Sequence, residues 1–252
     1  MAQYDVADRS AIVTGGASGI GSAVVEKFAG NGAKVVVADF DEVGGRAMVD
    51  KLTADGKTAS FFKVDVAEPD QVEAMVRHAV DTYGGLHIAV NNAGIGGASA
   101  PTGEYGIDDW KKVIDINLNG VFYGLRYEIP AMLESGGGAI VNVASILGSV
   151  GFANAPAYVA AKHGVVGLTK NAAIEYATQN IRVVSVGPGF IKTPLLDKNL
   201  DEETMKVIAG MHPVQRMGTP DEVANLITYL VSDEASFLTG GYYLVDGGYT
   251  AQ

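Results

Sequence analysis

Short runs rich in β-branched residues alternate with helix-length segments from one end of the chain to the other, and that alternation leaves few folds open. SAIVT (10–14), KVVVAD (34–39), ASFFKV (59–64), LHIAV (86–90), AIVNV (139–143), IRVVSV (181–186) and YYLV (242–245) read as strands. Several are apolar at every position, as strands covered on both faces must be. Segments 20–29, 42–54, 70–83 and 221–231 have the length of helices. Pro69 sits where a first turn would start, and Pro220 opens PDEV with its acids at the positive helix end. Strand, helix, strand throughout predicts an α/β fold: a doubly wound parallel sheet of about seven strands with helices on both faces. With no internal repeat and no low-complexity linker, a single domain over 1–252 is expected.

Hydrophobic residues make up 48% of the chain and charged ones 19%, enough apolar material for a sizeable core and far from a disordered composition. A formal net charge of -11 disfavours nucleic acid, whose phosphates need a cationic face, and disfavours an anionic membrane for the same reason. Zero cysteines removes disulfides, thiolate metal sites and thiol nucleophiles together. The opening MAQYDVADRS lacks the charged-then-apolar build of a secretory signal, and no apolar run reaches the length of a membrane span. A soluble cytoplasmic protein is the default expectation.

After the first strand, TGGASGIG places Gly15, Gly19 and Gly21 where a strand hands over to a helix. Missing Cβ atoms let the backbone turn sharply and approach a pyrophosphate, while unpaired N–H groups at the helix start attract negative charge. Asp39 ends the second strand at about the 20-residue offset expected of the acid that holds a cofactor ribose. A carboxylate there accepts hydrogen bonds from the ribose hydroxyls of NAD and repels the extra phosphate of NADP. Ser18 in the loop and Phe40 after the acid are uncharged, so no nearby base is evident to hold that phosphate, and NAD(H) is the expected cofactor. The competing reading makes Asp39 a cap for the helix that follows Asp39-Phe40-Asp41-Glu42.

Further on, SVGFANAPAYVAAKHGVVGLTK sets Tyr158 and Lys162 four residues apart, and no other Tyr in the chain has a Lys at that spacing. On a helix the two share one face, with Cβ atoms roughly 5–6 Å apart. Alone, the pair reads more simply as a half-buried tyrosine beside a solvated lysine. Other chemistries leave weaker marks. His78, His87, His163 and His212 show no metal-ligand spacing, so no metal site is expected from them. Ser145 lacks the G-x-S-x-G setting of a hydrolase nucleophile. Asp108-Asp109 and Asp201-Glu202-Glu203 look like helix starts or solvated turns.

Taken together, these motifs resemble the short-chain dehydrogenase/reductase family over nearly the whole chain. The family's T-G-x-x-x-G-x-G loop corresponds to residues 14–21, with Ser18 and Ile20 inside it. Asp65 in KVDVAEP is similar to the family's acid after the third strand, which with Val66 is implied to contact the adenine. Asn91, Asn92, Ala93 and Gly94 match the N-N-A-G motif. IDINLNG supplies Asn117, VNVASILG supplies Ser145, and Y-x-x-x-K is Tyr158 with Lys162, the implied catalytic set. GPGFIKTP resembles the family's P-G segment (Pro188, Gly189), where Ile191 and Thr193 would hold the nicotinamide carboxamide.

The resemblance is greatest to NAD-dependent bacterial secondary-alcohol dehydrogenases and carbonyl reductases. It implies a Rossmann-type fold and hydride transfer between NAD(H) and a ketone or secondary alcohol. A free tyrosine, with a pKa of about 10, is a poor proton shuttle near neutrality. Lys162 and the oxidised cofactor are expected to lower that value by charge. Tyr158 then exchanges a proton with the substrate oxygen, Ser145 polarises the same oxygen, Lys162 binds the nicotinamide ribose, and Asn117 holds a water that links Lys162 to solvent.

By the same resemblance, substrate lies under a variable segment over about 193–219, which holds Leu195, Leu196, Met205, Ile208 and Met211. Ile146, Leu147 and Phe152 would form the opposite wall, with Ile95 near its mouth. Each is also an ordinary core residue, but as a group they suggest a medium-sized apolar pocket for a small neutral ketone or secondary alcohol. Lys192 and Lys198 either meet an anionic substrate or are solvated charges. Within the family, a 3-oxoacyl-carrier-protein reductase and a polyol or sugar dehydrogenase remain as alternatives. Outside it stands a non-catalytic NAD-binding regulatory module, since a fold does not guarantee activity. The resemblance further implies a homotetramer built on helices near 107–133 and 155–178 and the C-terminal strand. A structural magnesium near Gln252 would follow some relatives.

Overall fold

The computed structural model describes residues 4–193 and 202–251. Its strands are β1 Ser10–Thr14, β2 Lys34–Asp39, β3 Ala59–Lys63, β4 Ile88–Asn91, β5 Gly138–Val143, β6 Ile181–Pro188 and β7 Tyr242–Val245. They form one parallel sheet in the order β3-β2-β1-β4-β5-β6-β7. The helices are α1 Gly19–Gly30, α2 Glu42–Ala54, α3 Pro69–Tyr83, α4 Ile107–Ile114, α5 Gly120–Glu134, α6 Pro156–Tyr176, α7 Glu202–Gly210 and α8 Pro220–Val231.

Alternation along the central strands divides the core into two layers. Ala11, Val13, Val35 and Val37 face Val24, Val25 and Phe28 of α1 and Val223 and Ile227 of α8. Ile12, Val36 and Ala38 face the other way, onto Met75 of α3, Leu125 and Met132 of α5 and Val165 of α6. Fully buried side chains such as Phe28, Ile12 and Met75 each contribute about 1.5–3 kcal/mol. Helix ends follow their local chemistry. Pro69 opens α3, and left-handed Gly84 closes it. Thr219 and Glu222 form a reciprocal capping box at the start of α8. At α2 the capping acid is Asp41, which accepts from the amides of Val43 and Gly44, so Asp39 is free of that task.

One expectation changes. The single helix expected over 107–133 is two helices, α4 and α5, joined by a wide π turn over Asp115–Asn119. Such turns recur where a side chain must be aimed. Here Asn117 lies inside the turn and is fully buried.

Behind the sheet's C-terminal edge, buried polar groups tie strands to helices. Asn91 of β4 donates to Glu128 Oε2 of α5 and to Asn142 Oδ1 of β5, both at 3.0 Å. Asn142 in turn donates to Thr169 of α6 at 2.9 Å. Glu128 is fully buried, and its Oε1 has no hydrogen-bond partner among the described residues. Burial raises its pKa from 4.5 to about 7, with the Asn91 bond opposing. The folded chain therefore keeps a proton that the unfolded chain has already lost. The stability this represents is complete below pH 4.5 and is lost as pH rises through about 7. Its full size is about 3 kcal/mol. Glu128→Gln keeps a neutral partner for Asn91, so urea unfolding of the variant should lose that much less stability than the parent between pH 5 and 8. Equal declines in both proteins would place the proton elsewhere.

Candidate active site

A cavity of about 780 Å³ runs along the C-terminal ends of the strands, across the point between β1 and β4 where the winding reverses. In an open α/β sheet that crevice is where ligands bind, because chain leaving neighbouring strands departs to opposite faces. Its size suits a dinucleotide plus a small molecule.

At one end the glycine loop forms the wall. Gly15 and Gly19 have φ of +65° and +57°, a backbone region that L side chains rarely enter. A Cβ on Gly21 would come within 2.0 Å of the Gly15 carbonyl, so Gly21 lets α1 close onto the loop without itself lining the cavity. Ser18 precedes α1 without a side-chain cap, and no acid stands in the first turn. The opening amides are left for an anion. Gly15, Ser18, Gly19 and Ile20 all line this wall. Asp39 Oδ2 accepts from the Ala17 amide and Oδ1 from the Asp41 amide, both at 2.9 Å, which holds the carboxylate at the cavity edge beside exposed Phe40. Asp65 and Val66 line the same end. The Thr14 hydroxyl accepts from the amides of Asn92 at 2.9 Å and Ala93 at 3.1 Å, which locks the N-N-A-G turn against the loop. Asn92, Ala93 and Gly94 continue the lining, and Pro188 at the end of β6 faces it with Gly189, Ile191 and Thr193 just beyond. An open cradle of helix amides with a carboxylate one strand away fits a dinucleotide.

At the other end Ser145, Tyr158 and Lys162 meet on one wall. Ser145 stands two residues past the end of β5. Its Oγ accepts from the Leu147 amide at 3.2 Å, and its carbonyl accepts the Tyr242 hydroxyl of β7. Tyr158 lies in the first turn of α6 and Lys162 one turn later, on the same face as their spacing predicts. Lys162 is 3% exposed. Its ammonium donates to the Val143 carbonyl at 2.8 Å and stands 5.5 Å from the centre of the Tyr158 ring. Burial pulls its pKa down from 10.5 to about 8. The expected depression of Tyr158 is reversed in the protein alone. Burial pushes its hydroxyl up, hydrogen bonding with Ser145 pulls it down, and the Tyr242 hydroxyl pushes it up again. The Lys162 ammonium lies over the ring, and loss of water is the largest influence on the hydroxyl.

Asn117 stands behind the wall rather than on it. Its Oδ1 accepts from the Ile95 amide at 2.8 Å and its Nδ2 donates to the Ile95 carbonyl at 2.7 Å. Both side-chain polar atoms help fix the segment after the N-N-A-G turn.

Ile95, Ile146, Leu147 and Phe152 all line the cavity, as the sequence suggested. Met205 does not; it is half-buried on α7. Lys192 is exposed and away from the lining. Leu195, Leu196, Lys198 and Gln252 lie outside the described residues. Sequence reasoning missed Phe190, Ala155 and Gly96 on this wall, and Lys112 and Ile116 at the edge. Phe190 had a signal, sitting between Gly189 and Ile191. Lys112 and Ile116 had none, because nothing in their spacing ties them to the motifs on the facing walls. Among the described residues, no group of three His, Asp or Glu could hold a metal ion, and no helix is long and apolar enough to cross a membrane.

A family model described as enoyl-(acyl carrier protein) reductase matches residues 15–250. A cyclohexanol dehydrogenase of Acinetobacter sp. is 49% identical over 245 residues, covering 97% of this chain and 96% of the relative. A cis-4-hydroxycyclohexanecarboxylate dehydrogenase of Sinomonas cyclohexanicum is 43% identical over 97% of this chain and 98% of its own. The crystal structure of a levodione reductase superposes with a TM-score of 0.93 at 37% identity, covering 97% of this chain and 98% of the other. Matches that run collinear with the chain from the glycine loop to its last helical turn make it a member of the short-chain dehydrogenase/reductase family.

Proposed function

We propose that this chain is an NAD(H)-dependent oxidoreductase that interconverts a cyclic secondary alcohol and its ketone. The observation that carries the reading is the meeting of Ser145, Tyr158 and Lys162 on one wall of a cavity whose other end is a pyrophosphate-type cradle. The relatives' names, two of them dehydrogenases of hydroxylated cyclohexanes, support the ring-shaped substrate, as does the apolar and aromatic wall of Ile146, Leu147, Phe152 and Phe190. A net charge of -11 works against the runner-up, an acidic carrier protein as substrate.

In this reading Gly15, Ser18, Gly19 and Ile20 hold the pyrophosphate, Asp39 the adenosine ribose, and Asp65 with Val66 the adenine. Asn92, Ala93, Gly94, Pro188, Gly189, Ile191 and Thr193 enclose the nicotinamide half, and Lys162 holds its ribose. Bound NAD(H) supplies or accepts the hydride. The chain does the rest. Ser145 donates a hydrogen bond to the substrate oxygen, and Tyr158 gives that oxygen its proton in reduction or removes it in oxidation. Asn117 positions this machinery through Ile95. A homotetramer fits the same reading, supported by Phe122 and Ile174 exposed on α5 and α6 and by β7 forming an edge of the sheet.

Three measurements test this. With cyclohexanone and NADH, followed by NADH absorbance, Tyr158→Phe should lower kcat by at least about a hundredfold, the scale of a lost general acid; turnover within tenfold of the parent removes Tyr158 from its role. The parent should prefer NADH to NADPH in kcat/KM by at least about tenfold, and Asp39→Ser should shrink that ratio, because a carboxylate repels the extra phosphate. A parent preference for NADPH removes Asp39 from its role. Finally, Lys162 loses its charge as pH rises through about 8 in the cofactor-free protein. NADH affinity, read by cofactor fluorescence, should weaken across that range, and the dependence should vanish in Lys162→Met.

A further inference from the structure

His212 takes no part in the chemistry above, yet it is 2% exposed and bonded at both ring nitrogens. Nδ1 lies 3.0 Å from the Ile208 carbonyl, which can only accept, so Nδ1 carries the proton. Nε2 lies 3.3 Å from the Phe190 amide, which can only donate, so Nε2 is bare. The neutral ring therefore has a single tautomer that satisfies both partners. Ile208 belongs to α7, and Phe190 follows Gly189 on the cavity wall. One imidazole thus joins the helix of the substrate-covering segment to the wall of the pocket.

The surroundings fit that ring closely. A Cβ on Gly189 would lie 2.9 Å from Nε2, so glycine there leaves room for the contact. Phe190 meets His212 edge-on, with centroids 5.8 Å apart at 88°, and Tyr249 packs 5.6 Å from the imidazole. On its other side Phe190 meets Phe152 at 6.0 Å. Downstream, Gly218 donates to the Phe190 carbonyl at 3.0 Å and accepts from the Lys192 amide at 2.9 Å. The Phe190 peptide is thereby held from both ends, by His212 at its amide and by Gly218 at its carbonyl.

We infer that His212 is a positioning residue for substrate: through the Phe190 amide it sets the distance between Phe190 and Phe152, and so the width of the end that takes a ring. The inference rests on the proposed reading of that end as the ketone site.

Two variants separate the two bonds of the imidazole. The Oε1 of His212→Gln reaches the place of Nε2 and keeps an acceptor for Phe190. The Nδ2 of His212→Asn reaches the place of Nδ1 and keeps only the donor to Ile208. With cyclohexanone, H212N should raise KM about tenfold with kcat and NADH affinity within threefold of the parent, the scale of one lost hydrogen bond. H212Q should stay near the parent KM. Equal KM values in the two variants, or a loss that falls on NADH affinity instead, would overturn the inference. Should H212N fail to fold, nitrogen NMR of the parent's imidazole decides alone: a proton on Nδ1 and a bare Nε2 are required, and the opposite tautomer overturns it. The proposed reaction fails separately, by a parent that binds NADH but turns over no cyclic ketone.

Discussion

The hydroxyl of Thr14 holds together the place where the sheet changes direction. β1 and β4 lie side by side there, but the chain leaving them departs to opposite faces, so backbone groups beyond the last ladder bond lose their strand partners. Thr14 Oγ1 receives the amides of Asn92 and Ala93 and faces the Val90 carbonyl. The Asn92 side chain answers by donating to the carbonyls of Thr14 and Gly15. Two short polar side chains thereby keep the glycine loop and the N-N-A-G turn at one separation. Everything that lines the crevice on both sides inherits its spacing from them.

Burial then sets the electrostatics. Lys162, Tyr158 and Glu128 are all pushed toward their neutral forms by loss of water, and none has an opposite charge as a neighbour strong enough to reverse it. Lys162 meets a carbonyl, Tyr158 a serine and Glu128 an asparagine. Of the three, Tyr158 and Lys162 line the cavity, and that wall is easily charged or discharged by whatever enters it. A cationic ring placed there stabilises a phenolate, and hydroxyls placed there stabilise the ammonium.

Much of this was legible in the sequence, and the reasons are local. A run such as Val35–Val36–Val37 can only be a strand covered on both sides, and the order of seven such runs is enough for the layers. Tyr158 and Lys162 share a face because helical spacing is fixed. What escaped depends on contacts between distant residues. Helix propensity does not distinguish a straight helix over 107–133 from one opened by a π turn, since the same side chains suit both. Asp39 and Asp41 are equally good caps on paper, and only the backbone path decides that Asp41 serves. The upward push on Tyr158 in the protein alone was not legible, because spacing gives the neighbour's identity but neither its place over the ring nor the depth of the pocket. His212 was passed over as a histidine without metal-ligand spacing, for its meaning lies in a tautomer set by partners 4 and 22 residues away.

Tyr242, whose hydroxyl meets the Ser145 carbonyl, and Tyr249, which packs on His212, come far later in the sequence than the glycine loop. During synthesis the glycine loop emerges well before the tyrosine that backs Ser145. The first strands and their helices can form before β7 is made, but the Ser145 carbonyl has no Tyr242 hydroxyl against it until β7 has docked beside β6. The wall that carries Ser145 is therefore completed later than the glycine loop that faces it along the crevice.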